Sequence, residues 1–457
     1  MEKHKLFGTD GIRGTPGEHP LTDHMLTKIS HAIAVFLREK HTGDSVFSSV
    51  VIGKDTRTSG SQIENILAEA FTSQGVDVYL AGIITTPGLS FLTREFKADM
   101  GIMISASHNK AADNGVKFFN SKGCKLSTDE EEVIEQLING LVMESARKPA
   151  KKPAKAKIHH PKDSQDKYAK FLLSTVKGMN LEGVCVALDC ASGSASLFAK
   201  EIFAGLKADI HSIHDMPHGE KINIGGALQP QFLKELVLKT KADIGVALDG
   251  DGDRGILVDN TGNILDGDYI LAIMANYLKG KKKLPQNTIV TTVMCNYGLT
   301  SYLKNIGVKA IAANVGDKYV LAELLKNGLS LGGEQSGHIV FLDYLPTPDG
   351  LLTALQVLKV MQETGIKLSQ LSQCITKCPQ VLVNIKVKEK RPFEEMPALC
   401  KQLESSNRQL EGKGRILLRY SGTEALARVM VEGISKQAIE EIAHSLAKEI
   451  KKEIGAD

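Results

Sequence analysis

A repeated rhythm constrains this chain most. A short apolar run ends in a polar or glycine-rich turn, an amphipathic stretch follows, and the pattern restarts. VVIG at 50–53 ends at Lys54 and Asp55; a helix-like stretch at 62–74 precedes another apolar run at 76–79. GIMI at 101–104 ends at Ser105. The rhythm returns at 184–188, before Asp189 and a Ser/Gly-rich turn. It returns again at 242–248, ending in DGDGDR, and at 288–293, with a helix near 299–304. Short strands alternating with helices make α/β units. The last stretch differs: runs at 381–387, 415–418 and 429–432 precede a helix near 436–451, which reads as a smaller α+β domain. The predicted fold class is α/β. Three similar α/β domains (1–158, 159–255 and 256–372) precede a C-terminal α+β domain at 373–457. A length of 457 residues accommodates this at roughly 100–200 residues per domain.

Composition excludes several classes. The net charge of +3 offers no bulk attraction to nucleic acid or membrane. The basic stretch SARKPAKKPAKAK at 145–157 lacks aromatic residues and apolar periodicity, so it reads as an exposed linker. Seven cysteines without C-x-x-C spacing point to reduced thiols. The N-terminus lacks a secretory h-region and no apolar run is long enough to span a bilayer, so the expected location is cytoplasmic.

Four segments carry chemistry. In ISASHN at 104–109, Ser105 follows an apolar strand, where α/β folds place ligands; it is a nucleophile if its electrophile is a phosphate donor, or else a helix cap. DGDGDR at 249–254 gathers Asp249, Asp251 and Asp253 around two glycines, an all-oxygen set that suits a hard cation such as Mg²⁺. In GGEQSGH at 332–338, Glu334, Ser336 and His338 suit a polyhydroxylated sugar. In RYSGTEALAR at 419–428, Arg419, Ser421, Gly422 and Thr423 can form a phosphate nest, with Arg428 as a second cation. Four such segments spread along the chain predict a cleft between domains and a phosphorylated polyol substrate.

Together with FGTDGIRG at 7–14, IGKDTRTSG at 52–60, DNGVKFF at 113–119 and VGDKYV at 315–320, these segments resemble the α-D-phosphohexomutase superfamily, in order and over nearly the whole chain. Within it they are most similar to its bacterial phosphoglucosamine mutase branch. The resemblance implies four domains around a central cleft, a phosphorylated Ser105, and one Mg²⁺ bound by Asp249, Asp251, Asp253 and a phosphoserine oxygen. It implies a hexose 1,6-bisphosphate as intermediate and activator. Lys117 and His338 become candidate general bases, and Arg13 and His108 electrostatic partners. Arg254, Lys318, Glu334 and Ser336 join the phosphate loop (Arg419, Ser421, Gly422, Thr423 and Arg428) in substrate binding. The partner is a small sugar phosphate, without nucleic acid or membrane, and the family points to a homodimer. The product would feed UDP-N-acetylglucosamine and cell-envelope synthesis. Two departures replace a proline common in the family: Lys110 after SASHN, and Ala425 after the phosphate loop.

Rival readings are distinguishable. Phosphomannomutase or phosphoglucomutase activity would keep the same residues and change the sugar. A phosphatase using an Asp nucleophile would leave Ser105 dispensable. A non-catalytic sugar-phosphate sensor would have lost the nucleophile or a metal ligand, and this chain retains both.

Overall fold

The computed structural model describes residues 6–8, 10–40, 48–140, 156–421 and 425–456. It contains two compact units, Met1–Met294 with Val308–Gln373, and Cys295–Gly307 with Cys374–Asp457.

The first unit holds three sheets flanked by helices. The first has six strands in the order Ile12–Gly14, Asn114–Asn120, Met100–Ile104, Ser49–Lys54, Asp77–Ile83 and Ile158–His159. Strands Ser49–Lys54 and Met100–Ile104 run parallel, with Lys54 opposite Ile104. Both read as continuous apolar runs because helices cover both faces of a parallel sheet. Ile52, Ile102 and Ile104 are completely buried, with Leu26, Ile33, Leu67 and Phe71 packed among them. The strands therefore end together, which places Asp55 and Ser105 side by side. The Asp55 N–H donates to the Ile104 carbonyl at 3.0 Å.

The second sheet has the order Ile264–Leu265, Gly255–Asp259, Ile244–Leu248, Cys185–Asp189 and Asp209–Ile213. Gly255–Asp259 pairs antiparallel with Ile244–Leu248, Gly255 facing Leu248. DGDGDR is thus a hairpin turn. The predicted boundary at 255 runs through this hairpin, because an alternating Asp/Gly stretch does not reveal whether the chain leaves a sheet or turns back into it. The third sheet has the order Lys309–Ala313, Thr288–Thr292, Leu331–Gly333 and Ile339–Phe341.

The second unit is an antiparallel sheet, Gln380–Lys386, Leu426–Gly433 and Gly414–Tyr420, with helices Pro397–Leu410 and Lys436–Ile454. Its core is Leu399, Val429, Val431, Ile442, Leu446 and Ile450. Helix Tyr297–Asn305 belongs to this unit, although its position in sequence assigned it to the third α/β segment. Asn296 caps that helix and also donates to the Cys378 carbonyl at 3.0 Å. All seven cysteines are free thiols. Among the described residues no helix is long and apolar enough to cross a membrane. Residues 145–155 of the expected linker lie outside the described residues.

Candidate active site

Ser105 follows the last residue of strand Met100–Ile104 and is completely buried. Its Oγ accepts from the Ser107 N–H at 2.8 Å, and its hydroxyl hydrogen-bonds Asp55. Ser107 takes a left-handed backbone at φ 52°, a conformation that costs a non-glycine residue and recurs at functional sites. That turn aims the Ser107 hydroxyl at Asp249, to which it donates at 3.1 Å. The serine loop and the DGDGDR turn are thereby joined.

Asp249, Asp251 and Asp253 are all buried, and one oxygen of each lies within 4.8 Å of the others. Two contacts explain the alternating glycines. A Cβ on Gly250 would stand 2.8 Å from Ile222 Cδ1. One on Gly252, at φ +70°, would stand 2.7 Å from Thr85 Cγ2. Helix Thr86–Glu95 points its first turn at Asp251. The Thr86 N–H donates to the Asp251 carbonyl at 2.8 Å and its hydroxyl to the carboxylate at 2.5 Å. This occupies an otherwise unmade helix N-terminal donor and sets negative charge at the positive end of the dipole.

The cations around the triad are buried too. Lys117 Nζ lies 2.8 Å from Asp251, 3.2 Å from Asp253 and 3.0 Å from Asp10. Burial opposes its charge, but Asp10, Asp251 and Asp253 outweigh burial and hold the ammonium protonated well above its usual range. Asp10 also pairs with Arg13 and Lys125. Lys125 continues to Asp317 at 2.6 Å. Arg13 donates to Asn109 at 2.9 Å. His338 sits between Asp253 at 3.0 Å and Glu334 at 2.9 Å. Burial lowers its pKa, yet Asp253 and Glu334 carry it up to about 10. The imidazolium then donates to both carboxylates. The Arg254 Nε at 3.1 Å from the same ring nitrogen becomes a like-charge neighbour rather than a donor. His108 is the opposite case: burial, then Arg254 and Arg13, push it down to about 4, and its neutral Nδ1 accepts from Arg254 at 2.9 Å.

The triad fits a hard divalent cation. All its donors are oxygen, and Asp251 Oδ1 is buried without a hydrogen-bond partner. Burial, then the charges of Asp253 and Asp251, push Asp249 up to about 8. A dication relieves that repulsion.

The predicted sugar-reading residues divide. Glu334 is engaged on both oxygens, by Gly316 N–H at 2.8 Å and by His338. Ser336 is exposed. Lys318 pairs with Glu131 at 3.2 Å. In the second unit, Arg419 faces Arg428 directly across the strand pair. Burial, then Arg428, lowers the pKa of the Arg419 guanidinium. Arg428 approaches the Ser421 hydroxyl at 3.5 Å, and Lys390 donates to the Ser421 carbonyl at 2.6 Å. Like charges directly opposite one another destabilise a strand pair. Gly422 and Thr423 lie outside the described residues.

Several residues at the site were not singled out from sequence. Arg57, inside the quoted KDTRTSG run, donates to the carbonyls of Ser107, Asn109 and Asp113 at 2.9 Å, and to that of Lys110. It fixes the backbone where the family's proline is absent. Asn223, left-handed at φ 66°, donates to the Ser107 and Asn109 carbonyls at 2.8 and 3.0 Å, while its Oδ1 accepts from Gly250 N–H at 2.8 Å. Its only local signal is the glycine pair that follows in NIGGAL. Asp10, Thr86, Lys125 and Lys390 carried no chemical pattern of their own.

Comparison with known proteins agrees with this architecture. The phosphoglucomutase/phosphomannomutase descriptions match in chain order: alpha/beta/alpha domain I at 4–143, domain II at 166–262, domain III at 266–378 and the C-terminal domain at 382–449. A curated phosphoglucosamine mutase of Chlamydia trachomatis serovar L2 is 44% identical, covering 99% of this chain and 98% of its own. A Burkholderia thailandensis phosphoglucomutase/phosphomannomutase family protein shares the fold at TM-score 0.81, with 22% identity over 99% of this chain and 98% of that one. The Aspergillus fumigatus N-acetylphosphoglucosamine mutase, solved with GlcNAc-6P and magnesium, superposes at TM-score 0.65, with 18% identity over 98% of this chain and 95% of that one. With all four of its domains matched in order and full-length identity of 44% to a curated relative, the chain belongs to the phosphoglucomutase/phosphomannomutase family.

Proposed function

We propose that this chain is a phosphoglucosamine mutase, interconverting glucosamine 6-phosphate and glucosamine 1-phosphate through phosphorylated Ser105 and a 1,6-bisphosphate. The substrate assignment is supported by full-length identity of 43–44% to curated phosphoglucosamine mutases. The chemistry is supported by one observation above all: the Ser105 loop is tied to the acidic triad through Ser107 and Asp249.

In the forward half-reaction the Ser105 Oγ–P bond breaks and an O1–P bond forms. The O1 proton passes to a general base; Lys117 and His338, the candidates read from the sequence, both touch Asp253 and are held protonated there, so either one serves only after giving up its own proton. The bisphosphate turns over, the O6–P bond breaks, and Ser105 Oγ takes the phosphoryl group back. Arg419, Ser421 and Arg428, with Gly422 and Thr423, bind the phosphate that is not reacting. Arg254 and Lys318 contribute positive charge near the substrate, Glu334 and Ser336 contact its hydroxyls, and Arg13 and His108 flank the serine loop. Asp249, Asp251, Asp253 and an oxygen of phosphorylated Ser105 would hold one Mg²⁺, which would supply charge neutralisation to the transferring group. The four predicted domains, a cytoplasmic location and a homodimer complete the reading, and the homodimer derives from the family alone.

The test is the initial rate with Mg²⁺ and trace hexose 1,6-bisphosphate on glucosamine, glucose and mannose 6-phosphates. A strong preference for the amino sugar is expected. A preference for glucose or mannose would keep the Ser105 chemistry and move the chain to a sister activity.

A further inference from the structure

Strand Asp209–Ile213 is an edge of the second sheet and pairs in parallel with Cys185–Asp189, Cys185 facing Asp209. Side chains two apart on a strand share a face, so His211 stands beside Asp209 and next to Cys185. The Cys185 sulfur, an Asp209 oxygen and a His211 ring nitrogen all lie within 4.8 Å of one another. His211 Nε2 is 3.8 Å from Asp209 Oδ2. A fourth group, the Asp243 carboxylate, accepts from the Cys185 N–H at 2.9 Å. The proposed phosphoryl-transfer chemistry uses none of these residues. They sit at the start of strand Cys185–Asp189, and the DGDGDR turn follows the far end of its parallel neighbour Ile244–Leu248. That separation is a strand length, roughly 13 Å at about 3.3 Å per residue.

We infer that Cys185, Asp209 and His211 form a second metal site, selective for a thiophilic divalent ion such as Zn²⁺ over Mg²⁺. Sulfur, imidazole nitrogen and carboxylate together suit Zn²⁺ or Co²⁺, whereas Mg²⁺ takes oxygen ligands. Bond lengths of about 2.0–2.3 Å set ligand atoms roughly 3.5 Å apart in a tetrahedral site. The present spacing would close to that value by χ rotation of Asp209 and His211, both of which are exposed. Cys185 is half-buried, and burial and then the carboxylates of Asp209 and Asp243 hold its thiol protonated. A divalent ion replaces that proton and neutralises the carboxylate beside it. Metal at this point clips an unprotected edge strand to its neighbour.

The test uses the full-length protein in excess Mg²⁺, which fills the oxygen-only triad, titrated with Co²⁺ as probe. A near-ultraviolet sulfur-to-cobalt absorption saturating at one equivalent per chain is expected. Cys185→Ser should abolish it, and His211→Ala should weaken binding by roughly 10–100-fold, at least the loss seen for outer-shell changes. Zn²⁺ should displace the colour, and mutase activity should be unchanged in both variants, which confirms their folding. Absence of the sulfur band, or a band that persists in Cys185→Ser, overturns the site.

Discussion

The DGDGDR turn and the Arg419–Arg428 pair both crowd like charges, and they manage the crowding differently. Asp249, Asp251 and Asp253 are buried, so their repulsion acts at low effective dielectric and is met by Lys117 and His338, which are equally dry. Arg419 and Arg428 are only partly buried, and solvent screens much of their repulsion. A buried cluster of like charges calls for a counter-cation, whereas a solvent-screened pair tolerates its repulsion; in the proposed reaction the first would hold the metal and the second the phosphate that is not reacting.

Predictions follow that contrast in order of size. Ser105→Ala should lower kcat by about four orders of magnitude or more, the scale of losing a nucleophile. Substantial residual turnover in a coupled assay would discard the phosphoserine route.

Asp249→Asn should cut Mg²⁺-dependent turnover by roughly 10²–10³-fold. Yet melting of the metal-free variant should occur at the same or a higher temperature, because asparagine neither adds a third buried charge nor has to take up the proton that Asp249, with its pKa pushed up to about 8, holds at neutral pH, while the Ser107 hydroxyl keeps an acceptor. The melting shift on adding Mg²⁺ should shrink. A less stable metal-free variant with an intact Mg²⁺ shift would refute the stored-repulsion account.

Arg428→Ala should raise the sugar-phosphate KM about 10–100-fold, the worth of one charge-assisted hydrogen bond at about 1.5–3 kcal/mol, with kcat within a few-fold. An unchanged KM would remove this end of the sheet from the phosphate site.

The smallest effect tests the tie between loops. Asn223→Ala should lower kcat roughly tenfold through lost positioning of Ser107 and Gly250, at about 0.5–1.5 kcal/mol per hydrogen bond. Mg²⁺ affinity should hold. Asn223→Asp keeps the acceptor for Gly250 but sets a carboxylate oxygen against the Ser107 and Asn109 carbonyls, so it should lose more than alanine. A smaller loss in Asn223→Asp than in Asn223→Ala would show that the donors to those carbonyls do not matter.

Much of this architecture was legible because it is local. Apolar runs such as GIMI and the buried strand before Asp249 declared buried strands of α/β units. Alternating Asp and Gly pointed to an oxygen site rather than a charged surface turn, since three carboxylates within five residues repel one another unless a cation joins them. The second unit's strands and its last helix were likewise within a few residues of their predicted places. Two features were hidden for a physical reason. Helix Tyr297–Asn305 has an ordinary amphipathic pattern, and only Asn296 bonding to Cys378 shows which unit claims it. Asn223 and Arg57 act on carbonyl oxygens, which every residue carries, so sequence cannot announce their targets.

By itself, then, the sequence determined the strand–helix rhythm, the oxygen chemistry of residues 249–253 and the serine at a strand end. These follow from backbone propensity, burial patterning and side-chain chemistry over a few residues. Tertiary structure alone decided that Lys117 is caged by Asp10, Asp251 and Asp253, that His338 is charged while His108 is neutral, and that Ser107 reaches Asp249. Those outcomes depend on burial and on partners up to 146 residues away, and protonation follows the local field rather than the residue type.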